Sequence, residues 1–497
     1  MAQQHLDRLT AIDASFLAQE HASSHMHVGA LAVFEGPAPA YEDLLDHIRS
    51  RLHLVPRYRQ KLAFPPIEMG MPLWIDDPSF NLEYHIRHTA LPDPGSEEQL
   101  LLLTARIFSQ RLDRSKPLWE LWLVEGLEGG RFALISKTHH SMVDGVSGVD
   151  LATVLFDLSP VPQPVEHDSG AWVPHREPSG AELVAAGVRG IVRSGIKLAG
   201  GALNSVRHPE RTIDSAREAV EGVGEIVWAG LNPAPENPLN TEIGPHRRFV
   251  GVRMRLDDFK LVKNTFGGTV NDVVLTVVSG ALREFLHARG VRTEGLEMRA
   301  LVPVSIRPKG AEAELGNQIA AMRGPLPVYI ADPVARLRTV SQAMDGLKES
   351  KQAVGAEVLA SVQNFAPPTV MAQASRLNFS TRLFNLIVTN VPGPQFPLYI
   401  LGREMLDIFP VAFLPEQHAL AVAIMSYNGG LNFGLLADFD AVPEVDEIGQ
   451  GLERALAELV ERAKEESGTG KRTRARKAKS TRNGASSEAE EEASERT

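Results

Sequence analysis

A proline-dense interval after residue 159 constrains the architecture more than any other feature of this chain. Pro160, Pro162, Pro164, Gly170, Pro174 and Pro178 follow one another within 19 residues. Proline removes a backbone donor and fixes φ, so neither a helix nor a central strand passes through such a stretch. The interval reads as a linker between two halves. A chain of 497 residues also exceeds the roughly 100–200 residues of one domain. With 43% apolar and 23% charged residues, it has the composition of a globular protein that buries large cores.

Both halves read as α/β. In the first, His27–Phe34, Trp119–Val124 and Phe132–Thr138 have strand patterns, and Tyr41–Leu54 and Ser96–Leu112 have helical ones. Leu151, Val154, Leu155 and Leu158 repeat at helical spacing after Gly145. In the second, Arg248–Leu256, Met298–Val304, Phe384–Thr389, Ala419–Tyr427 and Gly430–Ala437 read as strands, several apolar on both faces and so central. Val270–Leu286 reads as a helix, and Asp446–Lys464 as an amphipathic closing helix. The division expected is 1–160 for the first domain, 161–244 for a Pro-rich and then helical linker, 245–466 for the second domain and 467–497 for a disordered charged tail. Similar halves joined this way place a site at their interface, where ligand pockets commonly form.

Charge and composition exclude several function classes. The formal charge is −11; residues 471–497 hold eight basic and five acidic side chains, which leaves −14 for the rest. An acidic body argues against nucleic acid as a partner, and the basic run Lys471–Arg482 reads as a solubilising segment. The absence of cysteine removes disulfides, thiolate metal sites and a cysteine nucleophile. No G-x-S-x-G, P-loop, G-x-G-x-x-G or H-E-x-x-H occurs. His85 and His88, on a strand-like segment, would point to opposite faces, so no metal site is expected. No basic-then-apolar leader opens the chain, and no apolar run reaches the ~18 residues of a membrane span. A cytoplasmic protein is expected, with peripheral contact at the inner membrane or lipid droplets as the variant.

One heptapeptide stands out: His139-His140-Ser141-Met142-Val143-Asp144-Gly145. It follows an apolar strand and precedes a helix. Adjacent histidines on extended backbone face opposite ways, so one imidazole faces a cavity while the other packs or bonds within the core. A free imidazole, with pKa ~6.5, suits proton abstraction from a hydroxyl near neutral pH. Asp144 is a partner carboxylate or a structural ion, and Gly145 permits a tight turn.

The pattern H-H-x-x-x-D-G resembles the signature of the CoA-dependent acyltransferase superfamily, which includes chloramphenicol acetyltransferase and peptide-synthetase condensation domains. Further blocks narrow it. Leu9-Thr10-Ala11-Ile12-Asp13-Ala14-Ser15-Phe16, Met26-His27-Val28-Gly29, Pro117-Leu118-Trp119, Asn271-Asp272, Val302–Arg307, Gly316-Asn317-Gln318 and Thr389–Pro394 resemble the bacterial wax ester synthase/diacylglycerol acyltransferase family in order, over about residues 5–465.

The resemblance implies two chloramphenicol-acetyltransferase-like domains with a channel between them. It implies His140 as general base, His139 beside it, and Asp144 and Gly145 shaping the loop. Acyl-CoA is then a co-substrate, diacylglycerol or a long-chain alcohol the acceptor, and no cofactor or metal is needed. Thr389 and Asn390, or Asn271, are the oxyanion-donor candidates. Arg59, then Arg307, are the candidate partners of Asp144. Asp272 serves a helix cap or the site, and Trp119 reads as core packing. The alternatives are an acyltransferase for another lipid or polyketide alcohol, and a non-catalytic lipid-binding homologue at droplets.

Overall fold

The computed structural model describes residues 7–66, 71–142, 155–161, 172–183, 185, 233–305, 319–349 and 380–467. Asp144, Gly145, Arg307, the charged tail and nearly all of the expected linker helix lie outside these residues. The first half runs β1 (Asp7–Arg8), α1 (Ala11–Gln19), β2 (His27–Phe34), α2 (Tyr41–Arg51), β3 (Gln60–Ala63), β4 (Leu73–Asp76), α3 (Leu82–His85), β5 (Ile86–Ala90), α4 (Glu97–Phe108), β6 (Trp119–Glu125) and β7 (Phe132–His139). The second runs β8 (Arg247–Arg255), α5 (Leu256–Phe266), α6 (Val270–Ala288), β9 (Met298–Ser305), β10 (Ile319–Leu326), α7 (Pro333–Glu349), β11 (Leu386–Pro392), β12 (Tyr399–Ile400), β13 (Arg403–Val411), β14 (Leu420–Tyr427) and β15 (Gly430–Asp438). A last helix, α8, covers residues 445–467.

Local signals account for most boundaries. Thr10 caps α1 by accepting the Asp13 N–H. Ser96 with Gln99 and Thr269 with Asp272 form capping boxes at α4 and α6, each satisfying two backbone donors that a helix start leaves open. The helix read as Tyr41–Leu54 ends at Arg51 and tightens into a 3₁₀ turn over Leu52–Leu54. β14, Leu-Ala-Val-Ala-Ile-Met-Ser-Tyr, is buried along nearly its whole length, as a strand covered on both faces must be. The sequence patterns leave β1, α1, β3, β4, α3, α5, β10, α7, β12 and β13 unmarked. In β10, Arg323-Gly324-Pro325 interrupts any apolar pattern.

Two six-stranded sheets form the body, in the orders β12-β13-β2-β7-β6-β5 and β10-β9-β11-β14-β15-β8. The hairpin β12–β13 comes from the second half of the sequence but joins the first sheet, with β13 antiparallel to β2 and Phe409 opposite Leu31. α5, α6, α7 and α8 cover one face of the second sheet: Phe259 of α5 stacks on Phe433, and the Gly324 position abuts Leu275 of α6 and Met344 of α7. The other face meets β13. There Gly251 and Gly434 sit opposite each other in β8 and β15, against Phe409 and the Pro410 carbonyl. One apolar core accordingly runs through both halves, from Leu31 and Phe108 to Val422 and Phe433, and a second lies under α2.

The glycines at this joint are required by contact. A Cβ at Gly434 would stand 1.8 Å from the Pro410 oxygen, backbone that has no rotamer with which to yield. Gly434→Ala is expected to cost ~3 kcal/mol, the upper end for overpacking. Urea unfolding measures it, and a midpoint equal to wild type would show that the sheets separate freely.

Candidate active site

The two histidines of the motif end the central strand of the first sheet. β7 is antiparallel to β2, with His139 opposite His27. At His140 the chain turns into a 3₁₀ turn, His140–Met142. The His140 N–H donates to the Met26 carbonyl at 2.9 Å, and the His139 N–H to the Leu118 carbonyl at 2.9 Å. Met26 is fully buried in the left-handed region, φ 51°, a conformation that costs a non-glycine residue about 1 kcal/mol and aims its carbonyl at the turn.

His139 is the interior member of the pair. It is 1% exposed, and its Nδ1 lies 2.7 Å from the Ser141 hydroxyl and accepts the Ser141 N–H at 3.1 Å. The neutral ring then carries its proton on Nε2, an assignment made from these partners. Nε2 faces the Glu20 carboxylate at 3.5 Å. Glu20 also accepts from Arg111 Nε at 3.1 Å and Arg114 Nε at 2.6 Å. Burial works to raise the Glu20 carboxyl, but the His139 and Arg114 contacts override it and hold it at about 2. Burial lowers the pKa of His139 itself, against the pull of Glu20.

His140 is half-buried between two aromatic rings. Phe16 of α1 stacks on it at 4.0 Å between centroids, and Phe413, just beyond β13, meets it edge-on at 5.4 Å. Its Nδ1 is buried, and among the described residues it meets no hydrogen-bond partner outside His140 itself. Burial, and then His139, push the imidazole down to about 4. The ring is therefore a neutral acceptor at physiological pH.

The remaining candidates occupy defined places. Thr389 and Asn390 lie on β11, both half-buried. Thr389 pairs with Ala423, which pairs with Gly434, so Thr389 lies on the sheet face turned toward β13. Alternation puts Asn390 on the helix-covered face. Asn271, half-buried, is the second residue of α6. Asp272 completes the cap of that helix, accepting from the Thr269 N–H at 2.8 Å and the Ser341 hydroxyl at 3.3 Å. Arg59 lies over the Trp172 ring at 4.7 Å; its expected pairing with Asp144, and that of Arg307, lie outside the described residues. Trp119 is fully buried and donates to the Tyr58 carbonyl at 2.8 Å.

His85 closes α3 rather than lying on a strand, and it stacks on Trp119. His88 pairs with Glu125 at 3.0 Å on the surface. Among the described residues no group of three or more histidine, aspartate or glutamate side chains is placed to hold a metal ion.

Two supports escaped sequence reasoning. One is Glu20. The other is the pair of Arg51 Nη2 and Asp157 Oδ1, 2.6 Å apart and buried on both sides. Their partners are far apart in sequence, and no local spacing marks them.

The buried imidazoles predict a pH response. His140 and His85 fall to about 4, and burial also lowers His27, His139 and His418. The unfolded chain binds protons below pH ~6.5 that the folded chain refuses. This stability is present above pH 6.5 and is lost as pH falls toward 4; Glu20 extends the loss in the same direction, between its ordinary value and about 2. The melting temperature is expected to decline steadily from pH 6.5 to 4. Initial rates after a brief pH jump should keep their acid limb near 4; a limb near 6.5 would mean that His140 titrates as an exposed imidazole.

Comparison with known proteins follows the same lines. The wax ester synthase/diacylglycerol acyltransferase catalytic-domain model matches residues 9–274, and the C-terminal-domain model of that family matches 315–460. The chain belongs to this family. A probable diacylglycerol O-acyltransferase of Mycobacterium tuberculosis is 36% identical over 459 residues, covering 92% of this chain and 96% of its own. A second from that organism is 33% identical over 472 residues, covering 91% and 99%. The wax ester synthase/diacylglycerol acyltransferase of Marinobacter aquaeolei superposes with a TM-score of 0.64 at 28% identity, covering 92% of this chain and 99% of that one. The starter condensation domain of rhizomide synthetase, 13% identical with a TM-score of 0.55, shares the two-lobed fold. The chain is accordingly an O-acyltransferase of the wax ester synthase/diacylglycerol acyltransferase family, with the mixed α/β architecture its sequence led one to expect.

Proposed function

We propose that this acyltransferase moves a fatty acyl group from acyl-CoA to the free hydroxyl of diacylglycerol, with a long-chain alcohol as second acceptor, and that His140 is its general base. The observation that carries the reading is the His140 ring, neutral, gripped by Phe16 and Phe413, with its Nδ1 buried so that Nε2 is the nitrogen we assign to the acceptor. Nε2 takes the hydroxyl proton as the oxygen attacks the thioester carbonyl. The C–S bond then breaks, and the imidazolium returns the proton to the departing sulfur. No covalent acyl-enzyme is needed, in keeping with a chain that has no cysteine.

The aromatic pair restricts water around the base, which favours a lipid alcohol over water as acceptor. An oxyanion donor is worth ~3–4 kcal/mol. Thr389 is the first choice because its strand register turns it toward the first lobe; Asn271 and Asn390 follow. Asp144 and Gly145 would shape the loop after His140, with Arg59 or Arg307 holding the carboxylate. Diacylglycerol partitions into lipid, so we place the enzyme at a membrane or droplet surface peripherally. Among the described residues no single helix is long and apolar enough to cross a membrane. The bent pair α5 and α6, broken by 102°, is packed on the second sheet.

The test is CoA release from palmitoyl-CoA, followed with a thiol reagent, with diacylglycerol or hexadecanol added and the lipid product identified by mass. Release that depends on acceptor and yields triacylglycerol or wax ester supports the reading and ranks the acceptors. Folded protein that releases no CoA with either would overturn it in favour of another alcohol or of lipid binding without transfer.

A further inference from the structure

The end of α1 reaches both histidines at once. Phe16 and Glu20 lie four residues apart, one helical turn. Phe16 stacks on His140, and Glu20 faces Nε2 of His139. The Glu20 side chain is 1% exposed, and it is fixed from behind. Arg111 and Arg114 donate to its two oxygens, and Arg114 also donates to the Leu17 carbonyl at 2.8 Å, tying the guanidinium to α1. On its other side the His139 ring receives the Ser141 N–H, the backbone of the turn that carries His140. The ring is thus wedged between a carboxylate and that turn.

We propose that Glu20 is a positioning residue for acyl transfer, holding the His139 ring in one tautomer and, through the Ser141 N–H, holding the turn that aims His140. A carboxylate 3.5 Å from Nε2 attracts its N–H and cannot donate, so it favours the tautomer whose Nδ1 is free to accept from Ser141. Without that charge only the Ser141 N–H holds the tautomer, and a flipped one would set two N–H groups against each other there. Among the described residues, the charged and titratable groups around His139 include Glu20, Arg111, Arg114, His27, Lys137 and His140. Glu20 is the acidic one among them.

The role rests on reading His140 as the base, and the test separates the two. In full-length Glu20→Gln, which keeps size and one acceptor, kcat is expected to fall about 10- to 100-fold, the usual scale for losing an orienting partner of a histidine. KM for palmitoyl-CoA should stay within about twofold, because Glu20 contacts the base's support rather than the substrate. Glu20→Asp, which keeps the charge on a shorter stem, should recover part of kcat.

Long-range ¹H–¹⁵N correlation on ¹⁵N-histidine-labelled wild type, with His139 assigned by its loss in His139→Gln, should show the Nε2–H tautomer. A mixture is expected in Glu20→Gln. If that variant does not fold, the wild-type tautomer decides. An Nδ1–H tautomer at His139, or an unchanged kcat in folded Glu20→Gln, would overturn the role of Glu20 alone. A wild type without acceptor-dependent CoA release would overturn the general-base reading and this role with it.

Discussion

Replacing His140 by alanine is expected to lower acceptor-dependent CoA release by ~10²–10⁴-fold, the range over which a positioned general base contributes. The fold should survive. The side chain is half-buried and among the described residues bonds to no other residue, and the backbone bond from His140 N–H to the Met26 carbonyl is unaffected by the substitution. What is lost is the ring between Phe16 and Phe413. His140→Gln fills part of that space and should be as inactive, which separates loss of the base from loss of packing. Kinetics with palmitoyl-CoA and the preferred acceptor, beside circular dichroism, make the measurement. Retention of more than about a tenth of wild-type kcat in either folded variant would remove His140 from the proton transfer.

The second large effect concerns the chain beyond the histidine motif. Arg51 and Asp157 form an ion pair whose side chains are 7% and 8% exposed. Asp157 also exchanges both backbone hydrogen bonds with Tyr399, at 2.7 and 2.9 Å, and His47 of α2 donates to the Leu155 carbonyl at 2.9 Å. The chain that leaves the motif is therefore fastened to α2 and to the β12–β13 hairpin. Arg51→Met strands a buried carboxylate, and ~3–5 kcal/mol of stability should be lost. The double variant Arg51→Met with Asp157→Leu removes both charges and should regain most of it. Denaturant midpoints of the four proteins close the cycle. A single variant as stable as wild type would mean that water reaches the pair.

These two effects differ in how far the sequence foretells them. The histidine pair is legible because an apolar strand ends in a polar motif within seven residues; that His140 rather than His139 acts is what the family resemblance implies. The strand endings were legible too. β2 runs His27–Phe34 as read, and β6 and β7 each extend one residue further, since alternation and burial leave a strand little freedom of register. Asp272 was balanced between a cap and the site by sequence, and its bonds to Thr269 and Ser341 use it as a cap. Arg51–Asp157, 106 residues apart, was not legible, because an ion pair between distant residues leaves no periodic trace.

By itself the sequence determined the α/β class, placed a break at the proline-dense interval, and singled out the histidine pair. All of these rest on local rules: the period of side-chain direction, the backbone limits of proline, and the intrinsic pKa of imidazole. Only the tertiary structure decided that a hairpin from the second half completes the first sheet. It alone brought Phe413 to the ring of His140 and Glu20 to the ring of His139, and it lowered the His140 imidazole to about 4. These outcomes depend on which distant surfaces exclude water from one another, and burial of that kind belongs to the assembled fold rather than to any segment of it.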